Sequence, residues 1–511
     1  MIGRKLSFSF MVKLLIQGLG FISLFFVARY MGAEALGIIA FGMSFIGMFQ
    51  SFSDFGFGTA HIKRVSEGKD LGRCNGTYFT VRIILLVVMS AIILGTIFYS
   101  KYVQQRPFIS PEHEVVLYLL LVSNFIGSVS MAFDITFGAR KEVAKSQLGA
   151  LIGKVVLVAG KVAVALSGLG VVVLASVNIV SSLAVLVFYI YLFKDYPIKA
   201  PTREYFKSYA TFAVPVILIG FVSKFAANID KVMIQFFWSA TDVGFYAAAV
   251  QVSLIVSSAA QLSSVLVFPT ISRFHADGDI DSIRRLSNRA ERFLSMVVLP
   301  VAVFLLIFSP QICGLLLGAE FVTVAPRILA IFGFIIYLNA ITANYISQIS
   351  GTNHIKLSAV LSIITFGIHI LLNVVFIPRQ FLGIPLLGMG AVGAALATLL
   401  GAVLSAVLYR IFAYRITRST TNPVIFIHWL AAAVMGGVMV GLNSLTAQVM
   451  WYHALLFGAV GFSAYLGVLG ITGEFGRREL LYFWNILNPA QLKNYAVNEM
   501  GTGYREDPEQ A

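Results

Sequence analysis

The chain has 511 residues, of which 58% are hydrophobic and 12% charged, and its mean hydropathy is +0.87. Soluble domains carry about 25% charged residues, so this composition excludes an ordinary soluble protein and indicates a membrane protein throughout. The formal net charge of +14 is then best explained by basic residues in cytoplasmic loops. We therefore expect membrane lipids as neighbours and no nucleic-acid partner.

Hydrophobic segments of spanning length follow one another along the chain. A helix needs about 20 mostly apolar residues to cross a bilayer. This rule places spanning segments near 8–30, 38–60, 79–99, 115–136, 147–167, 170–193, 213–237, 243–268, 293–314, 327–349, 356–377, 388–410, 424–445 and 452–471. The sequence thus predicts an all-α integral membrane protein with about fourteen transmembrane helices.

Basic residues are concentrated in alternate loops. With both termini counted, about 26 lysines and arginines fall on one side and about 5 on the other. Because cytoplasmic loops carry the excess of basic residues, this asymmetry predicts that both termini lie in the cytoplasm. We expect a multi-pass protein of the cell (cytoplasmic) membrane.

Two pairs of segments suggest an internal repeat. Gly37, which opens the second span, corresponds to Gly244 in the eighth, and Gly170–Tyr189 resembles Gly390–Tyr409. Units with an even number of spans form parallel repeats about an axis along the membrane normal, an arrangement typical of transporters.

The repeat predicts five regions. They are an N-terminal six-helix lobe (1–193), a cytoplasmic linker (194–209), a pseudo-symmetric C-terminal six-helix lobe (210–415), two additional transmembrane helices (416–475) and a cytoplasmic tail (476–511). No loop between the spans is long enough for a soluble catalytic domain.

Two lysines, Lys154 and Lys161, lie inside the span predicted at 147–167. A charged residue at the centre of a membrane helix costs roughly 2.5 kcal/mol or more, so lysine is rare there without a function. Seven residues are two helical turns, and both side chains therefore lie on one face. They line a substrate cavity or form structural ion pairs.

Further charges lie in the seventh and second spans. Lys224, Asp230 and Lys231 fall within 213–237, where Asp230 either pairs with one of these lysines or binds a coupling ion. Asp54, toward the cytoplasmic end of the second span, has the same two alternatives. The lysines exceed the carboxylates, and a cationic cavity attracts an anion such as phosphate.

Other polar residues in the spans permit a structural interpretation. Lys13 and Arg82, near cytoplasmic helix ends, and Arg29, at an outer end, are expected to extend to the headgroups. His369 and Asn373, one helical turn apart, indicate either a contact between helices or a proton site.

Catalytic and nucleotide-binding motifs are missing from the sequence. GALIGK at Gly149–Lys154 is one residue too short between its glycines for a P-loop and lies in a membrane span, and HExxH, CxxC and GxSxG do not occur. We therefore expect neither an enzyme nor a cofactor or metal.

Three stretches resemble one family. FFVARYMGAEALGIIAFGMSFIGMFQSFSDFGFG, NIDKVMIQFFWSATDVGFYAAA and LLGMGAVGAALATLLG look like the first-to-second-helix, seventh-to-eighth-helix and twelfth-helix regions of Wzx-type polysaccharide and O-antigen flippases. These belong to the multidrug/oligosaccharidyl-lipid/polysaccharide exporter superfamily. The resemblance implies two six-helix lobes in a V shape with two extra C-terminal helices.

The resemblance also implies a function. Such a flippase moves a polyprenyl- or dolichyl-(pyro)phosphate-linked oligosaccharide to the external leaflet by alternating access, for cell-surface polysaccharide or glycoconjugate biosynthesis. The phosphate-binding role of the family's basic cavity residues is carried onto Lys154, Lys161, Lys224, Lys231 and Arg29. We expect a monomer, with a polysaccharide polymerase or oligosaccharide ligase as its partner.

Two rival interpretations remain. A cation-coupled multidrug or metabolite antiporter on the same fold would use Asp54 or Asp230 for coupling. A membrane glycosyltransferase or polymerase would need a long external loop with catalytic acids, and Glu112 and Glu114 alone are inadequate.

Overall fold

The computed structural model describes residues 2–103, 111–446 and 450–476, so almost all of the predicted tail (476–511) lies outside the described residues. The described chain is almost entirely helical. In chain order the helices are α1 (Ile2–Phe49), α2 (Phe57–Ser66), α3 (Leu71–Phe98), α4 (Pro111–Ala139), α5 (Val143–Leu166), α6 (Val171–Leu192), α7 (Arg203–Ala226), α8 (Ile229–Phe237), α9 (Ala240–Ala276), α10 (Ile280–Leu316), α11 (Ala325–Gly351), α12 (Ile355–Phe376), α13 (Gly390–Thr417), α14 (Val424–Ser444) and α15 (Trp451–Ile471).

The predicted all-α integral membrane fold is confirmed. Eleven helical segments of the described chain are long and apolar enough to cross a membrane. The first predicted span and the first half of the second lie on α1, and the seventh and eighth lie on α7–α8 and on α9, so the helices are consistent with about fourteen spans. A two-stranded hairpin, β1 (Gln380–Phe381) and β2 (Ile384–Pro385), is the small exception in the loop between α12 and α13.

Helix α1 contains two spans because it breaks at Gly32. This glycine has φ +79°, a left-handed conformation that side chains rarely adopt. The Glu320 carboxylate accepts a hydrogen bond from the Ala33 backbone N–H at 3.0 Å, which caps the second part of α1. A Cβ on Gly32 would also lie 2.9 Å from that carboxylate, so a larger residue there would have to displace the Glu320 side chain.

The second span is shorter than its predicted range, 38–60. Helix α1 ends at Phe49, and the chain turns through Phe55 (φ +45°) and Gly56 (φ +78°) before the separate helix α2 begins. Asp54 stabilises this turn by accepting hydrogen bonds from the Gly58 backbone N–H at 3.1 and 3.2 Å. Hydrophobic length alone did not reveal the turn.

Helix α2 is anchored by a buried histidine. His61 is fully buried, with its ring nitrogens 3.0 Å from the Tyr209 hydroxyl and 3.0 Å from the Thr136 hydroxyl. Its ring stacks on Tyr78, with centroids 4.6 Å apart. Burial lowers the pKa of His61 from 6.5 to about 3, because desolvation disfavours the imidazolium form.

Contacts between residues divide the chain into two compact units. Unit 1 includes residues 1–23 and 49–224, and unit 2 includes residues 24–48 and 225–474. The lobe boundaries at 193 and 210 stay a prediction. Residues 24–48, the second half of α1, belong to unit 2 although the chain on both sides belongs to unit 1.

The repeat-related glycines contact each other's helices in unit 2. A Cβ on Gly37 would lie 1.7 Å from the Ala240 carbonyl oxygen, and a Cβ on Gly244 would lie 1.9 Å from the Ala33 carbonyl oxygen. The second part of α1 and helix α9 therefore cross with their backbones in contact, which only glycine at both positions allows.

The second predicted repeat pair also has matching structures. In unit 1 the Tyr189 hydroxyl of α6 donates to the Ser146 carbonyl oxygen of α5 at 3.1 Å, and in unit 2 the Tyr409 hydroxyl of α13 donates to the Ser358 carbonyl oxygen of α12 at 2.9 Å. Both tyrosines are buried. The hairpins α5–α6 and α12–α13 thus share one tyrosine-to-carbonyl contact.

The last two helices pack on α10 in unit 2. The Tyr465 hydroxyl of α15 donates to the Met296 carbonyl oxygen of α10 at 3.0 Å. Beyond α15, Glu474 accepts a hydrogen bond from the Arg292 side chain of α10. These contacts hold α15 against α10 along its length.

Candidate functional site

Helix α5 of unit 1 carries the two predicted intramembrane lysines beside a row of glycines. A Cβ on Gly149, Gly153 or Gly160 would clash with a side chain of α6, at 2.2 Å, 2.6 Å and 2.5 Å respectively. These glycines therefore admit a neighbouring helix and not a ligand. Lys154 and Lys161 each follow a glycine by one residue, so they lie on the flank of this contact.

Both lysines are half-buried. Among the residues that the structure describes, neither Lys154 nor Lys161 forms a hydrogen bond or a salt bridge, and their ammonium groups repel each other. The alternative of structural ion pairs therefore has no carboxylate to support it in this part of the chain. Two cations on one face of a helix attract anions, and the phosphate-binding role of Lys154 and Lys161 stays a prediction.

The other basic residues are distributed between the units. Lys224 is exposed in the last turn of α7 and belongs to unit 1. Lys231 is half-buried on the short helix α8 of unit 2. The predicted seventh span is interrupted between them, because α7 ends at Ala226 and α8 begins at Ile229.

Arg29 has contacts that the sequence did not suggest. Its guanidinium donates to the Leu315 carbonyl oxygen at 2.5 Å and to the Gly314 carbonyl oxygen at 3.3 Å, at the end of α10. It also lies 4.8 Å from the centre of the Phe25 ring. In this conformation Arg29 therefore neutralises the carbonyl end of a helix.

A network of polar side chains surrounds Asp230 in unit 2. Its carboxylate accepts hydrogen bonds from Asn373 Nδ2 at 2.7 Å and from the Tyr246 hydroxyl at 2.7 Å. His369 Nε2 lies 3.3 Å from Asp230 Oδ1, and the Thr398 hydroxyl lies 3.3 Å from Oδ2. Helices α8, α9, α12 and α13 each contribute to this site.

The polar network around Asp230 is largely removed from solvent, and its hydrogen bonding is nearly complete. The side chains of Asp230 and His369 are 13% and 14% exposed, and Asn373 is fully buried. Asn373 Oδ1 is buried without a hydrogen-bond partner among the described residues, so the site keeps one vacant acceptor. A carboxylate, an imidazole, an amide oxygen and hydroxyls are groups that bind a proton or a small cation.

Sequence reasoning found part of this network. It named Asp230 and, separately, the pair His369 and Asn373, but it did not join them, and it missed Tyr246 and Thr398. The sequence predicted that Asp230 pairs with Lys224 or Lys231, and among the described residues no ion pair joins Asp230 to Lys231. Asn373 and Tyr246 take that place because α8, α9 and α12 converge there.

Asp54, the second candidate for ion coupling, forms an ion pair in unit 1. Arg82 Nη1 lies 2.7 Å from Asp54 Oδ1, and the Tyr78 hydroxyl donates to the same oxygen at 3.0 Å. The expectation that Arg82 extends to the headgroups is wrong, since its side chain is 2% exposed. The buried pair, with the turn that precedes α2, explains Asp54 structurally.

Comparison with known proteins places the chain in a family. Residues 26–326, more than half of the chain, match the polysaccharide biosynthesis protein model, and residues 246–461 match the lipid II flippase MurJ model. The probable low-salt glycan biosynthesis flippase Agl15 of Haloferax volcanii is 24% identical over 458 residues, which cover 88% of this chain and 92% of the relative. The probable flippase AglR of the same organism is 24% identical over 393 residues, or 76% of this chain and 78% of the relative.

Solved structures share the fold. A lipid II flippase MurJ in an inward closed conformation superposes with a TM-score of 0.72 at 15% identity, covering 93% of this chain and 99% of that one. An inward-facing multidrug resistance MATE family transporter superposes with a TM-score of 0.62 at 15% identity, covering 80% and 99%. The predicted resemblance is confirmed: the chain belongs to the polysaccharide biosynthesis protein family, within the multidrug/oligosaccharidyl-lipid/polysaccharide exporter superfamily.

Proposed function

We propose that the protein flips a polyprenyl- or dolichyl-(pyro)phosphate-linked oligosaccharide from the cytoplasmic to the external leaflet by alternating access. The product would serve cell-surface polysaccharide or glycoconjugate biosynthesis. The observation that carries the proposal is the pair Lys154 and Lys161, two membrane-embedded cations without a described anionic partner in a chain of the polysaccharide biosynthesis family. The archaeal relatives, which are named as flippases, support the same function.

The lysine pair addresses the hardest step of such a reaction. A phosphate that leaves the headgroup region loses hydration, and the low dielectric of the membrane makes that loss expensive. Two ammonium groups on one face of α5 offset part of this penalty by binding the phosphate oxygens. The glycan then needs only a polar path, while the polyprenyl chain stays in lipid.

The other predicted basic residues are proposed as additional phosphate contacts. Lys231 on α8 and the exposed Lys224 on α7 are proposed as further phosphate contacts. Arg29 is held by the carbonyl groups at the end of α10, so it would bind phosphate only after that contact opens.

The Asp230 network is the proposed site of energy coupling. Binding of a proton or a cation would neutralise the only charged oxygen group in the network, and this changes the hydrogen bonds between α8, α9 and α12. An ion gradient or the membrane potential would drive the step, since one charge moved across 100 mV is worth about 2.3 kcal/mol.

The cellular setting follows from the same proposal. The asymmetry of basic residues supports the proposal that both termini lie in the cytoplasm and the chain in the cell membrane. A polymerase or ligase that uses the flipped oligosaccharide would be the natural partner, and the working unit is a monomer.

Translocation in proteoliposomes tests the proposal. A fluorescent polyprenyl-pyrophosphate oligosaccharide is incorporated, and the fraction accessible from each side is followed with time. We expect wild type to move the lipid, Lys161→Gln to lose at least about tenfold in rate, and Lys13→Gln, which removes an exposed charge from α1, to retain the wild-type rate.

The outcomes separate the possibilities. If Lys161→Gln and Lys13→Gln both lost translocation, the overall positive charge of the protein would matter and not the site on α5. No translocation by folded wild-type protein would reject the flippase in favour of the cation-coupled antiporter.

A further inference from the structure

A second cationic site lies far from the α5 lysines in sequence, at the end of α13. A cavity of about 530 Å³ opens there, on the side that the basic-residue asymmetry assigns to the cytoplasm. Its wall carries Arg410, Arg415 and Arg418, together with two threonines and two apolar side chains. The lining includes no acidic residue, so the cavity is strongly cationic.

Of the three arginines, Arg410 interacts electrostatically with the buried carboxylate of Glu291. Within the described ranges none of them forms an ion pair, and Arg410 Nη1 is buried without a hydrogen-bond partner. Arg410 lies 5.1 Å from the centre of the Tyr345 ring, and the other two arginines lie over aromatic rings of α13. Stacking fixes the guanidinium planes and leaves their N–H edges available.

Three other arginines on the same side are paired with carboxylates. Arg64 binds Glu67, Arg140 binds Glu142, and Arg284 binds Asp281, each at 2.7 or 2.8 Å. The cavity at the end of α13 therefore differs from those three sites, because its arginines form no ion pair among the described residues.

The cavity is held by a rigid turn. Arg418 has φ +56°, which turns the chain back after α13. The Thr417 carbonyl oxygen accepts a hydrogen bond from Arg284 Nε at 2.6 Å, and the Ser419 hydroxyl donates to Asn288 Oδ1 at 3.2 Å. Since Ser419 is 1% exposed, the turn is packed against α10 and the site is preformed.

An apolar stripe leads from the membrane to this cavity. It consists of exposed side chains of α13 at helical spacing, each 42 to 50% exposed: Leu400, Val403, Val407, Ile411 and Tyr414. Residues three and four apart share one face of a helix, so the stripe faces the lipid chains. Its last two members, Ile411 and Tyr414, line the cavity itself.

We propose that this cavity binds the phosphate headgroup of an anionic phospholipid of the cytoplasmic leaflet, with an acyl chain along the stripe. Guanidinium groups bind phosphate oxygens in pairs of parallel hydrogen bonds. The inner leaflet supplies anionic lipids at the depth of the cavity. The proposal goes beyond the flippase function and holds for any substrate that the protein transports.

Native mass spectrometry of the full-length protein in detergent tests the site. Phosphatidylglycerol, a polyprenyl phosphate and inorganic phosphate are titrated separately. The variant is Arg415→Gln with Arg418→Gln, and the matched control is Arg285→Gln with Arg289→Gln, which removes two charges from α10 on the same side. Thermal melting confirms that both variants are folded.

We expect phosphatidylglycerol to stay bound to wild type and to the control, and its affinity to fall at least about tenfold in the α13 variant. An equal fall in the control would overturn the site in favour of diffuse charge attraction. Tighter binding of polyprenyl phosphate, equal binding of inorganic phosphate, or no retained phospholipid would each reject the proposal as well.

Discussion

The two repeat-related hairpins, α5–α6 in unit 1 and α12–α13 in unit 2, place different residues at the same position. Each is joined by a tyrosine that bonds a serine carbonyl of the preceding helix, at Ser146 and at Ser358. Counting from that carbonyl, Lys161 is the fifteenth residue along α5 (161 − 146) and Asn373 the fifteenth along α12 (373 − 358). The two side chains are therefore structural counterparts.

Their surroundings differ. Lys161 has no hydrogen-bond or salt-bridge partner among the described residues, whereas Asn373 donates to Asp230 at 2.7 Å inside a buried network. One hairpin thus keeps a charge available for a ligand, and its counterpart uses the same position to hold a carboxylate of its own unit. Under the proposed function, the two repeats share a scaffold and divide phosphate binding and ion coupling between them.

The largest expected effects separate the two hairpins by function. We expect Lys161→Asn to abolish translocation with or without an imposed gradient, because the phosphate loses its cation. Asp230→Asn should reduce gradient-driven translocation at least about tenfold and leave slow exchange without a gradient unchanged. Proteoliposomes with a proton or a sodium gradient, imposed one at a time, measure both. If both variants failed in the same way, the division between hairpins would be wrong.

The next test concerns the crossing of the repeat-related glycines. Gly37→Ala and Gly244→Ala should each destabilise the protein by about 3 kcal/mol or more, since the new methyl group would overlap a backbone carbonyl. Gly437→Ala in α14 is the control, because no atom lies within 4 Å of its Cβ position. Because alanine has a higher helix propensity than glycine, Gly437→Ala should stabilise α14 by up to about 1 kcal/mol. Thermal and denaturant unfolding in detergent would show the contrast, and a tolerated Gly244→Ala would disprove the close crossing.

The pH dependence of stability should depend on the buried His61 of unit 1 and not on the exposed His354 of unit 2. The pKa of His61 is about 3 in the folded protein and 6.5 without burial. The unfolded chain therefore binds the proton first, and stability falls as the pH drops below 6.5, by up to about 1.4 kcal/mol per pH unit. We expect His61→Gln to flatten this dependence between pH 6.5 and 4, and His354→Gln, at an exposed site, to leave it intact. Melting temperatures across that range give the answer, and identical slopes in all three proteins would contradict the assignment.

The smallest effects test the equivalence of the hairpins. Tyr189→Phe and Tyr409→Phe each remove a buried hydroxyl that bonds the serine carbonyl and a second group, Asp134 or Ser362, and each should destabilise the protein by about 1 kcal/mol or more. Tyr191→Phe, at an exposed position of α6, should have no measurable effect. Very unequal losses in the two buried variants would show that the repeat does not extend to these tyrosines.

The sequence predicted the class of fold for a physical reason. Lipid forces every spanning segment to be long, apolar and helical, so length and hydropathy alone placed the helices. They could not place the turn after Phe49 or the interruption between α7 and α8, because these depend on local capping and on neighbouring helices. The glycines Gly37 and Gly244 were visible as a repeat, but not as contact partners.

The sequence predicted the charged residues of the candidate site but not its hydroxyl groups. Charges inside spans are conspicuous because they are costly there, so Lys154, Lys161 and Asp230 could be found without a structure. Hydroxyls are not conspicuous, and Tyr246 and Thr398 were therefore missed.

The sequence by itself determined that this chain is a helical membrane protein with an internal repeat, unusual buried cations and a family resemblance. Tertiary structure alone decided how these charges are compensated: Arg82 forms an ion pair with Asp54, and Asn373 and Tyr246 donate hydrogen bonds to Asp230. The reason is that the cost of a buried charge depends on partners from distant helices, and only packing brings those partners within 3 Å.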